Sequence, residues 1–156
     1  MNGRLWLKLA AGLSFSMAAC QAVISVWPAA AAYFQAPPSL LNDRVRLFVV
    51  GGAAALIPAL FGLYALSGAG VIRRLPLVRT VLVVVGSLFL LRGLFIILTI
   101  LEALGIRQGQ ILLAGVASHV MFLLAGVAYL GGAVLTWTAL YPRRAGALAG
   151  FSKRRA

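Results

Sequence analysis

TVLVVVGSLFLLRGLFIILTILEAL, residues 80–104, decides the class of this protein. A helix needs about 20 mostly apolar residues to cross a bilayer, and this run exceeds that. One charge sits at its middle, Arg92, and one acid near its end, Glu102. Three further runs have the same character: Leu5–Ala32, Leu47–Ile72 and Ile111–Leu140. Together the four fill almost the whole chain. Hydrophobic residues make up 63% of it and charged residues 10%, whereas a soluble domain carries about a quarter charged residues. That much apolar surface needs lipid to cover it. The runs predict an all-α, polytopic integral membrane protein: a four-helix transmembrane bundle with short loops over residues 1–142, followed by a basic tail, 143–156.

The net charge of +12 raises the question of nucleic acid. Nucleic-acid binders gather Lys and Arg on one face of a folded domain. Here the cations punctuate the ends of the apolar runs, which excludes that class. Arg4 and Lys8, then Arg73, Arg74 and Arg79, then Arg143, Arg144, Lys153, Arg154 and Arg155 fall on one side of a four-span topology, ten in all. Arg44, Arg46 and Arg107 fall on the other. Cytoplasmic loops carry the excess of Lys and Arg, so both termini are expected in the cytoplasm and the protein in the inner membrane. Trp6 and Trp27 bracket the first run, about 31 Å apart at helical rise, close to the hydrocarbon thickness. Trp137 and Tyr141 mark the end of the fourth. Arg73, Arg74, Arg79, Arg143, Arg144, Lys153, Arg154 and Arg155 are expected at anionic lipid headgroups.

The N-terminus also has features of a secretory signal: two cations, an apolar stretch, and Met17-Ala-Ala-Cys20 in the manner of a lipoprotein cleavage box. Against cleavage, the apolar run continues past Cys20 to Ala32, longer than a signal core. Asn42 or Asp43 is placed to cap the second helix, and Pro58 is expected to kink it. Small residues at four-residue spacing let helices approach in lipid. Gly12, Ser16 and Cys20 form one such stripe, with Ala10, Ser14 and Ala18 beside it; Gly51, Ala55 and Ala59 form another, and Ala128 and Gly132 a third.

Tyr64-Ala-Leu-Ser-Gly-Ala-Gly70, Ile72-Arg-Arg-Leu-Pro76 and Leu90-Leu-Arg-Gly93 together resemble a pattern found in small four-helix bacterial inner-membrane proteins. The resemblance spans roughly residues 60–95. It implies a four-helix membrane fold and carries no chemistry with it.

Polar groups inside the spans are the functional candidates. A charge at the centre of a spanning helix costs at least about 2.5–3.5 kcal/mol and usually faces the bundle interior. Arg92 is therefore expected inward, beside Tyr64, Ser67 or His119 of the second and fourth spans, with Glu102 further along its own helix. Gln21 is a further interior candidate. Arg92 would then be an anion or headgroup site, a gating charge, or a structural arginine held by helix carbonyls, Tyr64 or Ser87. His119 would be a packing residue or a proton relay. Enzyme chemistry is poorly supplied. One Cys excludes an internal dithiol relay, one His with two acids cannot build a usual zinc site, and no phosphate-binding glycine loop is present. No cofactor is expected. Two functions remain: an accessory or structural membrane protein that binds a partner protein, a second copy or lipids through its helices, and a component of an anion or proton transporter using Arg92 and His119.

Overall fold

The computed structural model describes residues 2–34, 36–104 and 113–137. Among these residues seven helices follow in order: α1 (Gly3–Val26), α2 (Pro28–Tyr33), α3 (Pro38–Leu41), α4 (Arg44–Gly68), α5 (Val78–Gly93), α6 (Ile96–Ala103) and α7 (Leu113–Leu135). No strand occurs among the described residues. Among the described residues four segments are long and apolar enough to cross a membrane: Gly3–Val26, Arg44–Gly68, Val78–Leu98 and Gly115–Leu135. The chain is a multi-pass membrane protein with an all-α four-helix bundle. The tail 143–156, Tyr141 and Arg107 lie outside the described residues.

Local chemistry sets the helix ends. Asn2 caps α1, accepting from the Arg4 amide. Asp43 caps α4, its Oδ1 accepting from the amides of Val45 at 3.0 Å and Arg46 at 3.1 Å. Proline disfavours a helical conformation in the residue before it. Ahead of Pro28, Trp27 is extended (φ −119, ψ 97), and α1 stops at Val26. The first run is therefore a long helix plus the short α2, rather than one helix to Ala32. At the other end of the bundle α4 closes in a Schellman turn. The amide of Val71 donates to Leu66 O at 3.0 Å and that of Gly70 to Ser67 O at 3.1 Å, with Gly70 at φ +75. That left-handed conformation costs glycine nothing. Pro58 does not interrupt α4, which runs unbroken through it. The interruption is in the third span, at Leu94–Phe95, directly after Arg92.

The four spans form a ring in chain order: α1 on α4, α4 on α5, α5 on α7, and α7 back on α1. Short links make sequential helices antiparallel neighbours. Lipid tails are as apolar as leucine, so packing depends on close van der Waals fit. Glycine supplies that fit. A Cβ on Gly93 would lie 2.6 Å from the Leu123 amide nitrogen, and one on Gly126 2.6 Å from that of Leu90. α5 and α7 thus meet backbone to backbone. Gly51 does the same for α1 and α4 against Ser25. By contrast, Gly12 has open space around it, and Ser16 and Cys20 are exposed. The stripe Gly12-Ser16-Cys20 faces out of the bundle; its neighbours Ala10 and Ser14 are the ones buried.

The core is Leu7, Ala10, Ala11, Met17, Ala65, Leu82, Val85, Phe89, Ala125, Ala128 and Tyr129 with smaller neighbours. Phe89 ties three helices, edge-on to Phe61 at 5.8 Å, Phe122 at 5.4 Å and Tyr129 at 5.7 Å. Each such pair contributes about 0.5–1.5 kcal/mol. Beside them the fully buried hydroxyls of Ser14 and Tyr129 share a hydrogen bond at 2.8 Å, joining α1 to α7. Ser14→Ala and Tyr129→Phe should each destabilise by about 1–3 kcal/mol, since each strands one buried hydroxyl. The double variant should cost less than the sum, with a coupling of about 0.6–1.7 kcal/mol in a membrane interior. Unfolding of purified protein in mixed micelles measures all three; strict additivity would show that the bond contributes nothing.

Candidate intramembrane site around Arg92

Arg92 closes the last turn of α5, where the negative end of the helix dipole favours a cation. Its side chain is exposed on the outside of the bundle. It lies about 21 Å along the helix from Val78 and about 9 Å before Leu98, where the apolar span ends. The guanidinium carbon stands 5.8 Å from the centre of the Phe95 ring and 5.7 Å from that of Phe122. Phe122 belongs to α7, which is held against this stretch of α5 by the Gly93–Leu123 approach. Among the described residues no hydrogen bond or ion pair engages the Arg92 guanidinium.

Magnitudes decide what the two rings can do. A cation over an aromatic face gains about 0.5–1 kcal/mol when exposed and about 2 when desolvated, within about 6 Å of the centroid. Both rings stand near that limit. They offset part of the insertion cost and leave the five N–H donors of the guanidinium unmet.

The residues expected around Arg92 are distributed differently. Ser67 is buried at the far end of α4. Its Oγ accepts from the Leu75 amide at 2.8 Å and donates to Arg73 O at 3.2 Å, organising the connection 69–77. Tyr64 lies one turn from it and packs against the core. Phe61 meets Phe89; Tyr64 lies one turn from the first and Arg92 one turn from the second, in opposite directions, so about 9 Å of helical rise separates their levels. Among the described residues neither makes a hydrogen bond to the guanidinium. His119 comes closer. It is one turn from Phe122 on the same face of α7, and its Nδ1 is buried without a hydrogen-bond partner. The neighbouring Ser118 hydroxyl is turned back to Gly115 O at 2.8 Å. Gln21 is half-buried in α1, on the opposite pair of helices. Glu102 belongs to α6, and its side chain lies outside the described residues. So the fold joins Arg92 with Phe95, Phe122 and, one turn on, His119, and it leaves Tyr64 and Ser67 at the opposite end. Phe95, three residues on and on the same helix face as Arg92, was legible in the sequence; Phe122 was not, because it comes from another helix.

The basic groups of the second connection also divide. Arg73 and Arg74 are exposed. Arg79 is half-buried at the start of α5, stacked 4.0 Å over the Trp137 ring and donating to the Trp137 carbonyl. It clamps α5 to the end of α7. Arg143, Arg144, Lys153, Arg154 and Arg155 lie outside the described residues.

No protein-family model matches this chain, and neither a curated protein nor a solved structure does. No group of three or more His, Cys, Asp or Glu able to hold a metal occurs among the described residues.

Proposed function

We propose that this chain is an accessory membrane protein that binds a partner membrane protein through the face formed by α5, α6 and α7, with Arg92 as the polar anchor. One observation carries the reading: an arginine inside a span, exposed outside the bundle and with no acceptor among the described residues. A polar acceptor on a neighbouring transmembrane helix, a carboxylate above all, would meet the guanidinium fork and remove the remaining insertion cost. Leu91, Leu94 and Phe95, all exposed, supply the apolar surround of such a contact. The transporter reading has less support. The core that the bundle encloses is leucine, alanine, valine and aromatic, with the Ser14–Tyr129 pair closed on itself. Among the described residues that is a packed interior with no polar path along it.

Site-specific photocrosslinking in native membranes tests the proposal. A photoreactive side chain at Leu91 or Leu94 should give one discrete adduct, absent from Leu56 and Leu60 on α4. Arg92→Leu should abolish it. Persistence of the same adduct in Arg92→Leu would end the proposal. Co-expression of two differently tagged copies tells whether the partner is a second copy of this chain.

The cation asymmetry of the sequence supports an inner-membrane location with both termini cytoplasmic. Reporter fusions at Ala156 should then read cytoplasmic and fusions within Gln35–Leu41 periplasmic. A cytoplasmic signal from the first connection would reverse the orientation.

A further inference from the structure

We propose that a phospholipid binds in the cleft between the end of α1 and the start of α4, with its phosphate on Arg44. A half-open cavity of about 430 Å3 lies there, lined by Ser25, Val26, Pro28, Arg44, Leu47 and Phe48. It is on the α1–α4 side of the ring, apart from the α5–α7 face that carries Arg92.

The packing explains why the cavity exists. α1 and α4 are pinched together at Ser25 and Gly51, where an added Cβ would meet the Ser25 Cβ at 2.5 Å. One turn further on the helices part. Pro28 ends α1 and turns the chain into α2, while α4 continues to its cap at Asp43. The wedge left between them is closed at the pinch and opens toward the membrane surface. Exposed Trp27 and Tyr33 stand at this level, and such aromatics favour the headgroup layer.

Charge then selects the occupant. Asp43 is spent on Arg46, 3.3 Å away, and on the first amides of α4. Among the described residues nothing neutralises Arg44. The cavity therefore offers a free guanidinium at its rim and Val26, Leu47 and Phe48 as apolar walls. Ser25 Oγ already donates to Ala22 O at 2.6 Å, so Arg44 is the anion-binding group. A ligand that satisfies both halves has an anionic head and a hydrocarbon tail. Free phosphate leaves the walls unused, and an uncharged lipid leaves Arg44 unmet. The volume falls within the range of about 300–1,000 Å3 typical of small-ligand sites; it takes part of one acyl chain and not a whole lipid.

Native mass spectrometry of the full chain in non-ionic detergent tests this, titrating phosphatidylglycerol, diacylglycerol and inorganic phosphate separately. Wild type should retain one phosphatidylglycerol. Arg44→Gln should weaken that binding about tenfold or more, the scale of a lost charge-assisted hydrogen bond, and Arg46→Gln should leave it unchanged. Val26→Trp, which narrows the cavity without touching charge, should weaken it as well. Helicity by circular dichroism verifies that each variant is folded. Equal losses in Arg44→Gln and Arg46→Gln would reduce the effect to diffuse surface charge and overturn the site. So would diacylglycerol binding as tightly as phosphatidylglycerol, or inorganic phosphate displacing the lipid at equal concentration.

Discussion

Gly126→Leu should separate α5 from α7 and rank among the most destabilising single changes in the bundle. The first added carbon would lie 2.6 Å from the Leu90 amide nitrogen and 3.0 Å from Gly86 O. Those are backbone atoms and cannot rotate away. Overpacking a well-packed interior costs about 1–3 kcal/mol even where side chains can shift. Here two helices must move apart, and the Phe89 contacts to Phe122 and Tyr129 stretch with them. We expect a loss of about 3 kcal/mol or more, read from unfolding in mixed micelles. Gly93→Leu should behave alike, since its Cβ would meet Leu123 backbone atoms at 2.6 and 2.7 Å. Gly12→Leu is the control: nothing lies within 4 Å of its Cβ position, and the helix gains propensity on losing a glycine. A Gly126→Leu protein as stable as Gly12→Leu would contradict the close approach of α5 and α7.

Arg92→Leu should do the opposite within the isolated chain. It removes a charge about 9 Å inside the end of the span, where insertion costs less than the ~2.5–3.5 kcal/mol of a helix centre, and loses only two cation–π contacts near their distance limit. The segment 76–104 should insert more efficiently in a glycosylation-mapping assay, with an apparent free energy lower by about 2 kcal/mol. The purified variant should be no less stable than wild type. Arg92→Lys should keep most of the insertion cost yet bind a partner less well, because an ammonium cannot reproduce the planar fork. A variant that unfolds more readily by over about 1 kcal/mol would make Arg92 a structural residue. Gain in the isolated chain together with loss of the crosslinked partner is the signature of an anchor.

How far the sequence could be read follows from the range of each interaction. Asp43 as a cap depends on residues two and three positions away, and the structure uses it so. Pro28 acts on the residue before it, and its effect was readable in principle: it stops α1 at Val26. Pro58 leaves α4 continuous, since a membrane helix can carry a proline without being divided. The actual break, after Arg92, has no proline to announce it. Ser67 illustrates the limit most clearly. In sequence it is a hydroxyl inside an apolar run and invites a place beside Arg92. In the fold it sits one residue from the helix end and holds Leu75 and Arg73.

Composition, run length and cation placement by themselves determined that this is a four-helix membrane protein, because bilayer thickness and the cost of unmet backbone groups in lipid act on every span separately. Which face of each helix turns inward was decided only by the tertiary structure. In water a polar stripe marks the outward face, but here both faces are apolar, and lipid rewards neither. Choice of face then falls to close fit. Gly93 and Gly126 bring α5 onto α7, Gly51 brings α4 onto α1, and the same rotation that buries Gly93 carries the adjacent Arg92 to the outside.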